Sequence, residues 1–209
     1  MSGSVTIEAV SPDASELLDE FFVYLREHVA ENGAPGMGYF QPMPRESSYF
    51  STEREERFRC ALSVDVAKPG WRRLWLARSS SGRIAGHVDL RGHTEHFASH
   101  RCLLGIGVQR AARKRGVGLS LLACAANWAH SVVGLEWIDL QVLSVNAAAV
   151  RLYQRFGFVT VGEVPEMFKL DGQRFGYTSM ALRLGDPSSV APPCDLLQGH
   201  SRPRPTSVK

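Results

Sequence analysis

One stretch constrains the fold more than any other. Cys102 to Val108 is an apolar run of strand length. It passes through a turn carrying Arg110, Arg113, Lys114 and Arg115 and opens at Gly116 into a second segment. There Val117, Leu121, Leu122, Ala125, Ala126 and Ala129 recur at helical spacing as far as about Ser131. A buried strand followed directly by a helix with one apolar face buries both surfaces when the helix folds back onto a sheet. The rest of the chain must therefore supply that sheet.

It does so on both sides. Val5 to Val10 alternates apolar and polar residues as a half-buried strand does. Ser11, Pro12 and Asp13 offer a helix start, because a hydroxyl or carboxylate accepts from free first-turn amides and proline suits the first turn. Leu17, Leu18, Phe21, Phe22 and Leu25 then follow at helical spacing to about Ala30, and Glu53 to Val66 reads as a second helix. Leu74 to Arg78 and Ile84 to Leu90 read as strands joined across the turn Ser79 to Gly82. Glu136 to Leu143 is a strand, Ala147 to Phe156 a short helix, and Phe158 to Val164 and Tyr177 to Leu184 close the pattern as strands. The order predicts an α/β sheet with helices on both faces.

Two segments stand outside this pattern. Asn32 to Ser51 is rich in glycine, proline and aromatic residues and is long for a plain connection, which suits a lid or a substrate wall. From Asp186 to Lys209 the composition turns to Pro, Ser, Arg and Gln without periodicity, predicting a disordered tail behind a single domain over residues 1–185. Among whole-chain properties, 24 basic against 21 acidic residues argue against a general nucleic-acid binder. Cys60, Cys102, Cys124 and Cys194 lack zinc or disulfide-framework spacing. Met1 to Glu8 has no basic segment leading into an apolar one, so a secretory signal is not expected, and no apolar run nears the ~18 residues of a membrane span. A cytoplasmic location is expected.

The basic turn is where chemistry is expected. The first amides of a helix lack intrahelical acceptors and carry partial positive charge, so they favour a phosphate. Gly116 and Gly118 would let a pyrophosphate approach the backbone without a Cβ in the way, with Arg113, Lys114 and Arg115 adding charge at the rim. A solvated basic loop is the plain alternative. A second stretch follows the next strand: Asn146, Ala149, Leu152, Tyr153, Gly157 and Phe158, in the order Asn-x-x-Ala-x-x-Leu-Tyr-x-x-x-Gly-Phe. Together with the Arg-x-x-Gly-x-Gly pattern at Arg113 to Gly118, it resembles the GNAT superfamily of acyl-CoA-dependent N-acyltransferases.

The resemblance runs from about Leu74 to Leu184 and extends plausibly to Val5. It implies a mixed, mostly antiparallel sheet of about seven strands, with a splay between strands four and five and a bulge in the fourth. Ile106, Gly107 and Val108 would bond the pantetheine arm of acetyl-CoA. The amides of Lys114, Arg115, Gly116, Val117, Gly118 and Leu119 would hold its pyrophosphate beside Arg113. Asn146 would bond the pantetheine from the following helix, and Tyr153 would protonate the departing thiolate. The activity implied is acetyl transfer to an amine, by direct attack in a ternary complex and without a metal. A non-catalytic acyl-CoA sensor is the alternative. A homodimer is allowed by the strand edges and not required.

The base is less easily read. Where one branch of the superfamily carries a glutamate on the fifth strand, this chain has Gln141, and an amide cannot take a proton. Asp139 faces the same side of that strand and Asp89 lies on a neighbouring antiparallel strand, so these two are the catalytic candidates beside Tyr153. Glu163, His87, His93, His96 and His100 rank lower. Gly33 to Phe50 and a loop from Val164 to Tyr177 are expected to form the acceptor's walls.

Overall fold

A computed structural model describes residues 5–95, 97–132 and 134–185. Seven strands, β1 (Thr6–Ala9), β2 (Arg72–Arg78), β3 (Ile84–Gly92), β4 (Arg101–Val108), β5 (Trp137–Leu143), β6 (Val159–Leu170) and β7 (Gln173–Arg183), form one sheet in the order β1-β2-β3-β4-β5-β7-β6. The helices are α1 (Ser15–Ala30), α2 (Thr52–Leu62), α3 (Val117–Ser131) and α4 (Ala147–Phe156). None of the described helices is long and apolar enough to cross a membrane. The expected tail lies outside the described residues.

All neighbouring strands run antiparallel except β4 and β5, which run parallel and pair at Arg101–Trp137, Cys102–Ile138 and Leu103–Asp139. Beyond that point the two separate. Each stays paired on its outer side, β4 with β3 as far as Val108–Gly86 and β5 with β7 as far as Leu143–Tyr177. The result is a wedge whose two walls present unpaired backbone groups. The β3–β4 register is continuous, so the expected bulge in the fourth strand is absent; irregularities fall instead in β2 and β6.

Strand alternation divides the sheet between two cores. Trp75, Val88, Leu90, Cys102, Leu104, Ile138, Leu140 and Val142 pack with Val117, Leu121, Leu122 and Ala125 of α3 and Tyr153 of α4. Leu74, Leu76 and Ile84 pack on the other face with Leu18, Phe21, Phe22 and Leu25 of α1 and Phe58 and Leu62 of α2. α1 begins later than its turn residues suggest: Ala14 holds the N-cap, while Ser11 Oγ accepts from Asp13 N at 3.4 Å. α2 ends at Leu62, short of Val66.

The acceptor-wall expectation needs one correction. Residues 164–177 are not a loop; β6 and β7 continue as a hairpin to the turn Asp171-Gly172, both at positive φ (47° and 80°) as a tight two-residue turn requires. Residues 32–51 do form a loop, organised around the fully buried Asn32. Its Oδ1 accepts from Phe40 N (2.8 Å) and Gln41 N (2.9 Å), and its Nδ2 donates to Met43 O (3.0 Å) and Ser48 Oγ (2.9 Å). The loop then docks on the hairpin turn. Tyr39 OH and Arg45 N both donate to the Asp171 carboxylate, and the Tyr39 ring lies 5.0 Å from that of Phe175. It thus reaches from the end of α1, on the β3–β4 side, to the hairpin on the β5 side.

Candidate active site

The phase of hydrogen bonding identifies which groups enter the wedge. Gln109 N donates to Ala85 O (2.9 Å), so in the continuous antiparallel register Gly107 bonds β3 while Ile106 and Val108 turn N–H and C=O toward β5. On the other wall, Ser144 N donates to Gly176 O (2.9 Å), which leaves Gln141 and Leu143 turned toward β4. Ile106, Val108, Gln141 and Leu143 therefore line the opening with main-chain groups, of which Val108 O is taken by Arg113 Nε and Leu143 O by Asn146 N. The side chain of Gln141 projects to the α1 face, since Leu140 and Val142 occupy the opposite core.

At the end of β4 the chain makes its basic turn. Lys114 adopts φ 59°, and Gly116 caps α3 at φ 85°, a conformation that a residue with a Cβ rarely accepts. The first bond of the helix runs from Ser120 N to Gly116 O (3.1 Å), so the amides of Val117, Gly118 and Leu119 have no acceptor within it. Arg113 Nε donates to Val108 O (3.0 Å), holding that guanidinium against the end of β4. Gly118 has a packing reason that the sequence did not announce. A Cβ there would stand 2.9 Å from Leu152 Cδ2, so its absence lets α4 pack against α3.

α4 delivers two predicted residues. Asn146 is its N-cap, with Oδ1 accepting from Ala149 N at 3.2 Å. Tyr153 is buried two turns further along the helix, its ring edge-on to Phe158 at 5.8 Å. Burial raises its phenol well above the usual range, so the hydroxyl keeps its proton.

The two aspartates sit lower in the sheet. Asp139 belongs to the last paired position of β4 and β5, at the closed end of the wedge. Arg101 reaches its carboxylate through both Nε (2.7 Å) and Nη2, and His93 Nε2 lies 3.0 Å from Oδ2. Asp89 is buried on β3, 3.4 Å from both Arg72 Nη1 and Arg91 Nη1. β4 lies between them, so the structure does not bring the two carboxylates together. Glu163 stands on the exposed β6, and His96 lies outside the described residues.

His87, ranked low on sequence grounds, lies instead in a cluster against the open part of β4. It faces α1, where Tyr24 and His28 meet it: Tyr24 OH is 3.1 Å from His87 Nδ1, and the two imidazoles are 6.1 Å apart. A Cβ on Gly107 would fall 2.6 Å from His87 Cε1 and 2.8 Å from His28 Nε2, so that glycine makes room for both rings. Burial, with His87 and Arg113 adding positive charge, holds His28 down to about 3; burial likewise holds His87 at about 4. Both rings are neutral at physiological pH. The available signal was a histidine in the middle of an otherwise apolar helical stripe, which sequence reading passed over.

This geometry, a parallel strand pair opening into a wedge beside a helix with free first-turn amides, is the arrangement expected of the GNAT fold. The comparisons agree: residues 39–158 match the family model "Acetyltransferase (GNAT) family", and the chain belongs to that family. It is 28% identical over 100 residues to the catalytic subunit of the N-terminal acetyltransferase A complex of Arabidopsis thaliana, covering 48% of this chain and 52% of that protein. It is 39% identical over 85 residues to a mycothiol acetyltransferase of Clavibacter michiganensis, covering 41% of this chain and 26% of the relative. The chain thus spans about half of the first relative and about a quarter of the second.

Solved structures show the same fold. A GNAT-family acetyltransferase from Streptococcus pneumoniae superposes with TM-score 0.70 at 23% identity, over 87% of this chain and 100% of that one. Spermidine N-acetyltransferase from Vibrio cholerae, in complex with CoA and spermine, superposes with TM-score 0.62 at 18% identity, over 86% and 95%.

Proposed function

We propose that this protein transfers an acetyl group from acetyl-CoA to an amine, by direct attack within a ternary complex. The observation that carries this reading is the wedge itself. Its β4 wall presents Ile106 and Val108, and the same chain continues within a few residues to the free amides of Val117, Gly118 and Leu119. A pantetheine arm needs edge-strand partners and a pyrophosphate needs helix amides and cations; here they are consecutive. Arg113, Lys114, Arg115 and Gly116 form the turn between them, and Asn146 approaches from α4.

When bound, the donor would supply an activated thioester. The chain's own groups then have distinct parts. Val108 N–H is a donor for the oxygen that gains negative charge during attack. Tyr153 holds a proton for the sulfur that departs. Asp139 and Asp89 are positioning charges on this reading, because Arg101 engages both oxygens of Asp139 and two arginines stand 3.4 Å from Oδ1 of Asp89. The relatives' names, all acetyltransferases, support acetyl as the group moved.

The competing reading is a sensor that binds acyl-CoA without chemistry. Amine-dependent release of thiol from acetyl-CoA separates the two. Transfer predicts that Tyr153→Phe lowers kcat by about 10²-fold or more while the acetyl-CoA Kd stays within about twofold. A wild-type protein that binds acetyl-CoA and never releases thiol would be the sensor.

A further inference from the structure

Tyr24, His28 and Glu31 lie three and four residues apart and so form one stripe of α1, Glu31 being its C-cap in α-helical conformation. The stripe lies over Gly107, the residue between the two that open into the wedge. Two of its atoms are peculiar. His28 Nδ1 and Glu31 Oε2 are enclosed, yet neither has a hydrogen-bond partner among the described residues. His28 is itself more than nine-tenths buried. Enclosed polar atoms are nearly always paired, because leaving one unpaired forfeits its hydration without return. Two on one stripe, beside the place where a thioester would end, point to a missing partner.

The chemistry of that partner follows from theirs. A carboxylate oxygen accepts and brings negative charge. The imidazole is surrounded by Tyr24 on its own helix, Phe40 in the loop and His87 on β3, with Arg113 near enough to act on it, and its neutral state leaves one ring nitrogen with a free lone pair. The complement is a compact cation that donates several N–H bonds and accepts none, which is an alkylammonium. Arg113 does not fill this role in the structure: its Nε donates to Val108 O, and no hydrogen bond joins its guanidinium to His28 Nδ1 or Glu31 Oε2. Glu31 acts on the Tyr24 phenol through space, which places its charge over the same part of the sheet.

We propose that His28 and Glu31 form the acceptor subsite, binding a primary amine as its ammonium and taking the proton it must lose; this rests on the acetyltransferase reading above. The ammonium gives one proton to Glu31 and keeps an N–H bonded to His28, which aims the freed lone pair. The N–C bond forms, the C–S bond breaks, and Tyr153 protonates the sulfur. The nitrogen's second proton returns the phenol to its starting state through solvent. The products are an acetamide, a thiol and the proton that Glu31 releases. Tyr24 bonds His87 and Gly107 O and is a positioning residue.

The test uses the full chain with Glu31→Gln and His28→Phe, acetyl-CoA, and a panel of primary amines: α-amino acids, diaminoalkanes and dipeptides. Acetyl-CoA binding is measured in parallel by calorimetry. Both variants should lose at least tenfold in kcat/KM for the amine and hold the acetyl-CoA Kd within twofold. The melting temperature of His28→Phe should equal or exceed wild type, because an enclosed unpaired nitrogen has been removed, and that of Glu31→Gln should stay close to wild type, because the amide keeps the carboxylate's shape. Should His28→Phe fold poorly, Glu31→Gln carries the comparison alone. Unchanged kcat/KM in the variants would overturn the subsite alone; a wild type that binds acetyl-CoA and releases no thiol with any of these amines would be the sensor, and would overturn the acetyltransferase reading with it. Failure of wild type to bind acetyl-CoA would bring down the underlying acetyltransferase reading as well.

Discussion

Gly107 decides how α1 meets the sheet. Two imidazoles occupy the volume its Cβ would need, at 2.6 and 2.8 Å. Neither ring can withdraw freely, since His87 is bonded to Tyr24 and His28 is packed 5.0 Å from Phe40. Gly107→Ala should therefore cost about 1–3 kcal/mol in chemical denaturation, as overpacking of a tight site does. The same rings give the fold an acid limit. His87 has Tyr24, His28, Asp89 and Arg72 about it and is held at about 4, below the 6.5 of a free histidine. As pH falls below about 6.5 the unfolded chain binds the proton first, so stability is complete above that value and drains away toward pH 4. His87 alone should remove on the order of 2 kcal/mol between about pH 7 and pH 5, and His28 extends the loss to lower pH. Urea titrations should show this slope reduced in His87→Gln. An equal slope would mean the burial argument is wrong.

At the scale of elements, α3 and α4 approach because Gly118 yields space to Leu152, and α4 begins where Asn146 caps it. Asn146→Ala should cost about 1 kcal/mol for the lost cap; a calorimetric titration then shows whether acetyl-CoA affinity falls beyond that. The loop over residues 32–51 is fastened at Asn32 and at Asp171. Tyr39→Phe removes one of the two donors to Asp171, so backbone amides near 37–45 should exchange with deuterium faster while the melting temperature hardly moves. Unchanged exchange would show that the Asp171 contact does not hold the loop down. Elements such as these were unequally legible in the sequence. α4 is readable to the residue because Asn146 and Gly157 mark its ends and its apolar positions are helically spaced. The hairpin at residues 164–177 is not, because β6 is exposed almost along its length and burial imposes no alternation on it. Its turn signal, Asp171-Gly172, was present but sat between charged residues and Pro165.

For the molecule as a whole, the site divides by sequence distance. The proposed donor side is nearly contiguous: Ile106 through Leu119 is one strand, turn and helix start, so local pattern could suggest it. The proposed acceptor side would be assembled from α1, β3 and a loop fixed to the last hairpin. Nothing local announces that His28 will stand over Gly107; only the antiparallel register of β3 and β4, with α1 packed across them, creates that contact. The carboxylates that looked suited to proton transfer, Asp89 and Asp139, had arginine partners that strand pairing hid from view. Acetyl transfer by the proposed route requires that the donor enter where the backbone leaves room for it. A crystal structure with bound CoA tests this most directly. The prediction is a pantetheine arm bonded to Ile106 and Val108, a pyrophosphate on the amides of Val117, Gly118 and Leu119, and a sulfur beside the Tyr153 hydroxyl. CoA bound outside the β4–β5 wedge, or with its sulfur turned away from Tyr153, would contradict the account.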